Sequence, residues 1–347
     1  MRSTNTFIFA AVSVLALSAC GGSGGSASGA REYVTAVGSS TVYPFATAVA
    51  EKFAKSGHKS PVIESTGTGA GMKLFCAGVG AQHPDIEDAS RRMKKSEYEL
   101  CQKNGVTDIV EVQVGIDGIA FAEDKKGPGF GLTPTDIYKA LAANPFGKPN
   151  TSKTWKDVNP SLPAEPILVY GPPSTSGTRD ALKELILEAG CNTDPAMEAL
   201  KKTDKDKYEA TCQDIREDGP YVDAGENDNL IVQKLSQNPK AIGIFGYSYL
   251  EENINTLNGI PLSGVKPTYD AIADFSYPGA RPLYIYIKKQ HLGPIKDLKA
   301  YAEAWPQAWG PDGYLKPKGM IIATDDVRKK NAEVIANMTP LDPSVLK

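Results

Sequence analysis

Three segments of the chain share one pattern, in which a short apolar run ends in a turn rich in serine, threonine and glycine and a helical pattern follows. The turns occupy residues 37–44, 65–73 and 170–180. At the start of a helix the first backbone N–H groups lack intrahelical partners and the helix dipole is positive, so such a turn can bind an oxyanion. Serine and threonine hydroxyls cap these N–H groups in the empty state and donate to a bound ligand. One such turn is an ordinary helix cap, but three together predict an anion site.

The rest of the chain alternates between strand-like and helix-like patterns, which is typical of an α/β fold. Apolar, β-branched runs predict strands at residues 33–37, 61–65, 109–115, 119–122, 167–170, 242–246 and 283–287. Apolar residues at helical spacing predict helices at residues 42–55, 178–189, 295–305 and 324–338. A chain of 347 residues has the length for about two domains, each with its own core.

The composition is that of an ordinary folded protein. The chain has 38 Lys and Arg residues against 41 Asp and Glu residues, which gives a formal net charge of −3, and 41% of its residues are hydrophobic. Neither a disordered chain nor a polybasic nucleic-acid-binding protein fits these values. We therefore expect a folded protein without a nucleic-acid partner.

The N-terminus predicts export and membrane anchoring. Residues 1–19 have the architecture of a signal peptide, with a basic start and an apolar core too short to span a bilayer. They lead into the sequence Leu-Ser-Ala-Cys of residues 17–20, which resembles the bacterial lipobox, where a peptidase cleaves before a lipidated cysteine. We expect acyl chains on Cys20 to hold the protein at a membrane, followed by a flexible tether over residues 20–31. The predicted location is the periplasm or the cell surface.

The other four cysteines favour disulfide bonds, because an exported protein folds in an oxidising compartment. They are Cys76, Cys101, Cys191 and Cys212. Four cysteines allow three connectivities, and proximity in the sequence favours Cys76 with Cys101 and Cys191 with Cys212; four buried free thiols are the alternative. The three histidines, at positions 58, 83 and 291, lack metal-ligand spacing and are predicted to lie on the surface or in loops. We expect neither a metal nor a cofactor.

A fourth segment, residues 84–93, combines carboxylates with arginines directly after an apolar residue. Arginine is the natural bidentate partner of a tetrahedral oxyanion. A carboxylate beside the anion can accept a hydrogen bond from a protonated ligand such as phosphate, and it repels an unprotonated one such as sulfate. Taken alone, the segment fits a solvated charged turn better than a binding site.

Together these segments resemble the periplasmic phosphate-binding protein of the high-affinity ABC importer, from about residue 33 to the end of the chain. The first two loops of that family correspond to residues 38–44 and 67–73, and its Ser-Gly-Thr motif corresponds to residues 176–178. The resemblance implies that the phosphate-binding residues are Ser40, Thr41, Val42, Thr68, Asp88, Ser90, Arg91, Ser176, Gly177, Thr178 and Arg179.

Two departures from the family pattern affect this set. In the best-known branch an aspartate stands two residues before a proline; here that position is Ser90, and Arg92 replaces the proline. The sequence Asp-Ala-Ser-Arg of residues 88–91 resembles another branch, in which Ser90 and Arg91 meet the ligand and Asp88 supplies the acceptor. The family arginine four residues before Ser-Gly-Thr is Pro172 here, so we expect Arg179 to replace it.

The resemblance also implies a type II periplasmic-binding-protein fold, an α/β fold with two lobes that close on the anion. Crossing hinge strands are expected near residues 113–122 and 282–288. Lobe 1 would comprise residues 32–115 and 282–347, and lobe 2 residues 116–281. The implied protein is a monomer that captures inorganic phosphate and delivers it to a membrane permease.

Two other functions stay open at this stage. The cleft could bind another tetrahedral oxyanion, namely sulfate, molybdate or arsenate. The protein could also be a phosphatase in which Ser40 or Ser176 is the nucleophile, although the sequence places no histidine or metal cluster near either serine to activate its hydroxyl.

Overall fold

A computed structural model describes residues 31–174, 176–225 and 228–346. The predicted signal peptide, Cys20 and all of the predicted tether except Arg31 lie outside these ranges. Within them, no helix combines the length and the hydropathy that a membrane span requires.

The strands are short except for two that run through the middle of the molecule. In chain order they are β1 (Thr35–Gly38), β2 (Val62–Ser65), β3 (Ile86–Ala89), β4 (Ile109–Asp124), β5 (Val169–Gly171), β6 (Tyr221–Asp223), β7 (Ile242–Gly246), β8 (Leu257–Gly259) and β9 (Ala280–Lys288). Because β4 and β9 are far longer than the other strands, each of them can pair in both halves of the sheet.

Helices fill most of the connections. They are α1 (Tyr43–Lys55), α2 (Thr68–Phe75), α3 (Lys95–Lys103), α4 (Pro134–Leu141), α5 (Trp155–Val158), α6 (Gly177–Ala181), α7 (Glu188–Cys191), α8 (Pro195–Thr203), α9 (Lys205–Cys212), α10 (Asp228–Gln237), α11 (Tyr247–Glu252), α12 (Tyr269–Ala273), α13 (Leu298–Ala304) and α14 (Asp325–Asn337). A π-helical turn (Leu182–Leu187) joins α6 to α7, so residues 177–191 form one continuous helix.

The sheet has the order β2-β1-β3-β9-β4-β7-β5-β6, with β8 beside β4. Strand β1 is parallel to β2 and β3, and β5 is parallel to β6 and β7. Strands β4 and β9 are antiparallel and pair from Ile109 opposite Lys288 to Gly118 opposite Ala280. These two strands cross between the two parallel groups, so the predicted α/β class with two lobes and crossing hinge strands is confirmed.

Each lobe has its own apolar core. Lobe 1 packs α1, α13 and α14 against β1, β3, β4 and β9, and lobe 2 packs its helices against β4, β5 and β7. A smaller cluster around Phe75 and Tyr286 covers the other face of lobe 1. Ile321 and Ala323 follow β9 in the chain but pack in the core of lobe 2. The exact limits of the lobes stay a prediction.

Several predicted elements differ from those observed. The predicted strands 109–115 and 119–122 are one strand, β4, which continues through a register shift between Gln113 and Gly115. Strand β3 was absent from the prediction because two of its four residues, Glu87 and Asp88, are acidic and still buried. Strands β6 and β8 have three residues each, too few for a periodic pattern.

The prediction that His291 lies at the surface or in a loop was wrong as regards exposure. Its side chain is fully buried, with Nδ1 2.7 Å from Oδ1 of Asp85 and Nε2 accepting a hydrogen bond from the N–H of Gly80. The guanidinium of Arg31 donates to both carboxylate oxygens of Asp85, at 2.9 and 3.0 Å. Since Asp85 precedes β3, this network fixes the N-terminal end of the described chain to the edge of lobe 1 opposite the turns.

Both favoured disulfide pairings are confirmed. Cys76 is bonded to Cys101 in lobe 1, and Cys191 is bonded to Cys212 in lobe 2. The lobe 1 bond joins the C-terminal end of α2 to α3, and the lobe 2 bond joins the ends of α7 and α9. Each therefore restrains the packing of helices inside one lobe and leaves the hinge free.

Replacing Cys191 and Cys212 by serine should lower the stability of lobe 2. The bond spans 21 residues, and closing a loop of that length in the unfolded chain contributes on the order of 3 kcal/mol. Thermal unfolding followed by circular dichroism should therefore show a lower midpoint. The double serine variant of Cys76 and Cys101, whose bond spans 25 residues, is the parallel test in lobe 1, and an unchanged midpoint in both variants would contradict the prediction.

Candidate functional site

The first turn connects β1 to α1 and is fixed by its contact with β3. Gly38 has φ = +135°, and a Cβ there would collide with the carbonyl oxygen of Asp88, so glycine is required. The next N–H, of Ser39, donates to that same carbonyl at 2.7 Å. The Ser39 hydroxyl then accepts from the N–H groups of Thr41 (3.1 Å) and Val42 (3.4 Å). A hydroxyl thus accepts from the N–H groups of the turn just before α1.

The second turn is joined to the end of β3. Gly67, with φ = +78°, precedes α2, and the Thr68 hydroxyl accepts a hydrogen bond from the N–H of Ser90 at 3.1 Å. The two hydroxyls, of Thr68 and Ser90, are also 3.1 Å apart. Both side chains are buried. The structure therefore brings these two predicted site residues together.

The third turn belongs to lobe 2 and meets the first turn across the cleft. The Ser176 hydroxyl accepts from the N–H of Thr178 at 3.2 Å, and so caps the helix of residues 177–191. At Gly177 a Cβ would lie only 2.5 Å from both N and Oγ1 of Thr41. The backbones of the two turns are therefore in direct contact, which only a glycine allows.

A cavity of about 570 Å³ lies between the lobes at this contact. Five predicted residues line it, namely Ser40, Thr41, Ser176, Gly177 and Thr178, together with residues that include Tyr43, Asp117, Tyr249 and Lys318. In the described part of the chain, the other six predicted residues are not among those that line this cavity. They are Val42, Thr68, Asp88, Ser90, Arg91 and Arg179. The cavity therefore gathers the first and third turns, while the second turn and the end of β3 form the neighbouring Thr68–Ser90 pair.

The two predicted arginines are held by protein groups. Arg91 makes a bidentate pair with Glu97, with N···O distances of 2.7 and 2.9 Å, and its side chain is 24% exposed. Arg179 donates to the carbonyl of Pro172 at 3.1 Å, and its guanidinium lies 4.2 Å above the ring of Tyr221. Each guanidinium is thereby held in one orientation by fixed neighbours.

The buried acidic pair in β3 bears on the predicted role of Asp88. Asp88 is 2% exposed and lies on the same face of the strand as Ile86, which packs in the lobe 1 core. Burial raises the pKa of Asp88 to about 8. On the opposite face Glu87 lies against Gly38 and Gly71, and burial together with the charge of Asp88 raises its pKa well above the usual range. A protonated Asp88 donates a hydrogen bond, so its role as an acceptor stays a prediction.

Arg281 joins the two lobes and was absent from the predicted set. It lies on β9 and is 3% exposed. Its Nε donates to Asp117 at 3.1 Å, Nη1 donates to Glu184 at 2.8 Å, and Nη2 donates to the Thr41 hydroxyl at 2.7 Å and to the carbonyl of Gly177 at 3.3 Å. One guanidinium therefore contacts both crossing strands and both turns.

Ser40 and Thr41 use their hydroxyls across the cleft. The Ser40 hydroxyl donates to Asp180 at 2.7 Å, and the Thr41 hydroxyl donates to the carbonyl of Gly177 at 3.1 Å. Asp180 and Glu184 are three and seven residues after Gly177, a spacing that places both on one helix face. This spacing was a signal in the sequence, whereas nothing local distinguished Arg281 from an arginine at the edge of a strand.

Comparison with known proteins identifies relatives over most of the chain. A model of the periplasmic-binding-protein (PBP) superfamily domain matches residues 25–305. Protein SphX of Synechococcus elongatus is 35% identical over 273 residues, which cover 76% of this chain and 70% of that protein. The phosphate-binding protein PstS of Staphylococcus saprophyticus is 32% identical over 296 residues, or 83% of this chain and 80% of the relative.

A solved structure shares the fold. The crystal structure of a possible phosphate-binding protein from Planctomyces limnophilus is 27% identical in sequence and superposes with a TM-score of 0.70, covering 88% of this chain and 98% of that one. Since this neighbour has the type II periplasmic-binding fold, the predicted fold class is confirmed.

The contact between the first and third turns predicts the effect of Gly177→Ala. The added methyl group would collide with the Thr41 backbone and separate the turns, so affinity for inorganic phosphate should fall at least tenfold, about 1.4 kcal/mol. Titration calorimetry measures this. Gly131→Ala is the control, because that residue lies outside the three turns and its Cβ would have open space within 4 Å, so affinity should stay unchanged. Equal affinities for the two variants would contradict the assignment.

The raised pKa of Asp88 predicts a pH-dependent stability. Below pH 4 the side chain is protonated in both folded and unfolded states; between about pH 4 and 8 only the folded state holds the proton, so stability falls as pH rises. Asp88→Asn, which mimics the protonated acid, should reduce this slope to the contribution of Glu87 and should stabilise the protein most above pH 8. Urea unfolding at pH 5, 7 and 9 tests it, and parallel curves for both proteins would refute it.

Proposed function

The chain belongs to the PBP superfamily, and we propose that it binds inorganic phosphate in the cleft between its lobes and delivers it to an ABC permease. One observation carries the proposal: helix-opening turns from both lobes meet at a single cleft, with their N–H groups capped by hydroxyls. The names of its relatives, which include phosphate-binding proteins, support phosphate as the anion.

Capping hydroxyls explain how the site is stable both empty and filled. The Ser39 hydroxyl accepts from the two N–H groups just before α1, and the Ser176 hydroxyl accepts from Thr178. An anion can replace each hydroxyl as acceptor, and the released hydroxyl can then donate to the same anion. The exchange leaves no N–H unpaired, which matters because an unsatisfied buried polar group costs several kcal/mol in an apolar setting.

We assign the contacts by position. The N–H groups of Thr41, Val42 and Thr178, the hydroxyls of Thr68, Ser90 and Ser176, and the guanidinium of Arg91 are the proposed donors. Ser40, Gly177 and Arg179 support the turns, through the bonds to Asp180, Thr41 and Pro172 respectively. The donors hold an anion and attack nothing, which fits a binding protein rather than an enzyme.

We also propose that the protein works as a monomer outside the cytoplasm, held at the membrane by a lipid on Cys20. The Leu-Ser-Ala-Cys sequence of residues 17–20 supports the anchor. Two disulfide bonds agree with an oxidising compartment. The network of Arg31 and Asp85 supports a tether that begins on lobe 1.

Replacing Arg91 by methionine should weaken phosphate binding. A hydrogen bond to a charged group contributes about 1.5–3 kcal/mol, so we expect the dissociation constant to rise roughly 10- to 100-fold. Titration calorimetry of the protein without residues 1–19, with phosphate, arsenate and sulfate, measures the affinity and selectivity together.

Arg92→Met is the matched control, because Arg92 is the adjacent arginine, likewise pairs with a glutamate, Glu111, beside the ring of Tyr284, and is not among the proposed donors. It should leave the affinity for phosphate within about twofold of the original. Equal binding of sulfate and phosphate, or equal effects of the two substitutions, would contradict the proposal. Turnover of a phosphomonoester would show an enzyme instead.

A further inference from the structure

Lobe 2 places two carboxylates against the turn of lobe 1 that we assign to phosphate. Asp180 accepts from the Ser40 hydroxyl, and Glu184 accepts from Arg281. By charge alone, a carboxylate this close to an anion site should weaken anion binding. The contacts of Arg281 explain why carboxylates lie so close to the anion site.

Arg281 stands on the hinge rather than on either lobe. Its strand, β9, pairs with β4, and Arg281 is directly opposite Asp117 in the register. From there its side chain reaches Thr41 in lobe 1 and Gly177 and Glu184 in lobe 2. Opening the cleft must therefore break the bonds to at least one lobe and leave a nearly buried guanidinium short of partners.

We propose that Arg281 and Glu184 form a latch that holds the two lobes together and so strengthens phosphate binding, although Glu184 is negative. The proposal rests on the proposed function. Arg281 acts as a positioning residue: it fixes the Thr41 turn against the Gly177 turn, whose N–H groups bind the anion. Because the apparent affinity is proportional to the fraction of binding-competent molecules, a latch that favours the closed form tightens binding.

The charges around Arg281 and Glu184 reduce the repulsion between Glu184 and a bound anion. Burial raises the pKa of Glu184, while the positive charges of Arg281 and Arg91 lower it. Glu184 is thus flanked by two guanidinium groups, which offset its charge toward the cleft. The hydrogen bond between Glu184 and Arg281 joins a lobe 2 helix to the hinge. In the latch, the stabilisation of the closed form by this bond exceeds the residual repulsion between Glu184 and the anion.

The decisive experiment compares Glu184→Gln with Glu188→Gln. Both remove one negative charge from the same helix, one turn apart, but Glu188 bonds to Lys201, Tyr208 and Gln213 inside lobe 2. The latch predicts that E184Q weakens phosphate binding roughly tenfold in calorimetry and that E188Q changes it less than twofold. Simple repulsion predicts the opposite sign, tighter binding by E184Q, and that result or an unchanged affinity would overturn the proposal.

Arg281→Lys and Arg281→Met provide a second measurement. Lysine keeps the charge but cannot bridge four acceptors, so R281K should bind phosphate more weakly than the original and more tightly than R281M. The ratio of phosphate to arsenate affinity should stay constant, because Arg281 positions the turns and does not read the anion. Small-angle X-ray scattering without ligand should show a larger radius of gyration for R281M, as the lobes separate; an unchanged radius would overturn the latch.

The unsubstituted protein in the same titration separates the two hypotheses. If it fails to bind phosphate, the proposed function is wrong. If it binds phosphate and E184Q binds equally well or better, the function stands and the latch is wrong. Circular dichroism confirms that each variant is folded before its affinity is compared.

Discussion

The antiparallel pairing of β4 and β9 is the contact on which both lobes depend. Each strand belongs to two cores, so the lobes share a backbone ladder instead of a flexible linker. Their relative motion is thereby restricted to bending and twisting of two strands, and the same turns meet at each closure. Precise anion recognition needs this restriction, because a displacement of about 1 Å would break hydrogen bonds that are only about 3 Å long.

The anion turns hold several backbone donors on the protein's own hydroxyls. The hydroxyls of Ser39, Thr68 and Ser176 accept hydrogen bonds from N–H groups of the first turn, of the end of β3 and of the third turn respectively. Binding then exchanges one acceptor for a stronger, charged one, and little backbone rearrangement is required. A near-neutral protein can hold an anion in this way, since the attraction comes from a few fixed dipoles and guanidinium groups and not from the net charge.

Features encoded locally were predictable from the sequence. The three turns, the helices that follow them and the disulfide pairings depend on residues close in the chain, and the structure places them as expected. The Arg281 network could not be predicted, because its partners lie 97 to 240 positions away and only the fold brings them together. Strand β3 and the burial of His291 were missed for a related reason: polar residues suggest exposure, and burial of a polar residue is decided by distant neighbours such as Asp85.

The point at which the chain enters lobe 1 has a mechanical consequence. Arg31 is tied to Asp85, which precedes β3 at the end of the strand opposite the turns, and the carbonyl of Asp85 accepts a hydrogen bond from the N–H of Lys288, the last residue of β9. A pull on the N-terminus would load this ion pair and the lobe 1 ends of β3 and β9, away from the part of β4 and β9 that crosses to lobe 2. Attachment of the N-terminus would therefore leave lobe 2 free to move relative to lobe 1. Thermal motion of the attached segment would then not oppose closure of the cleft.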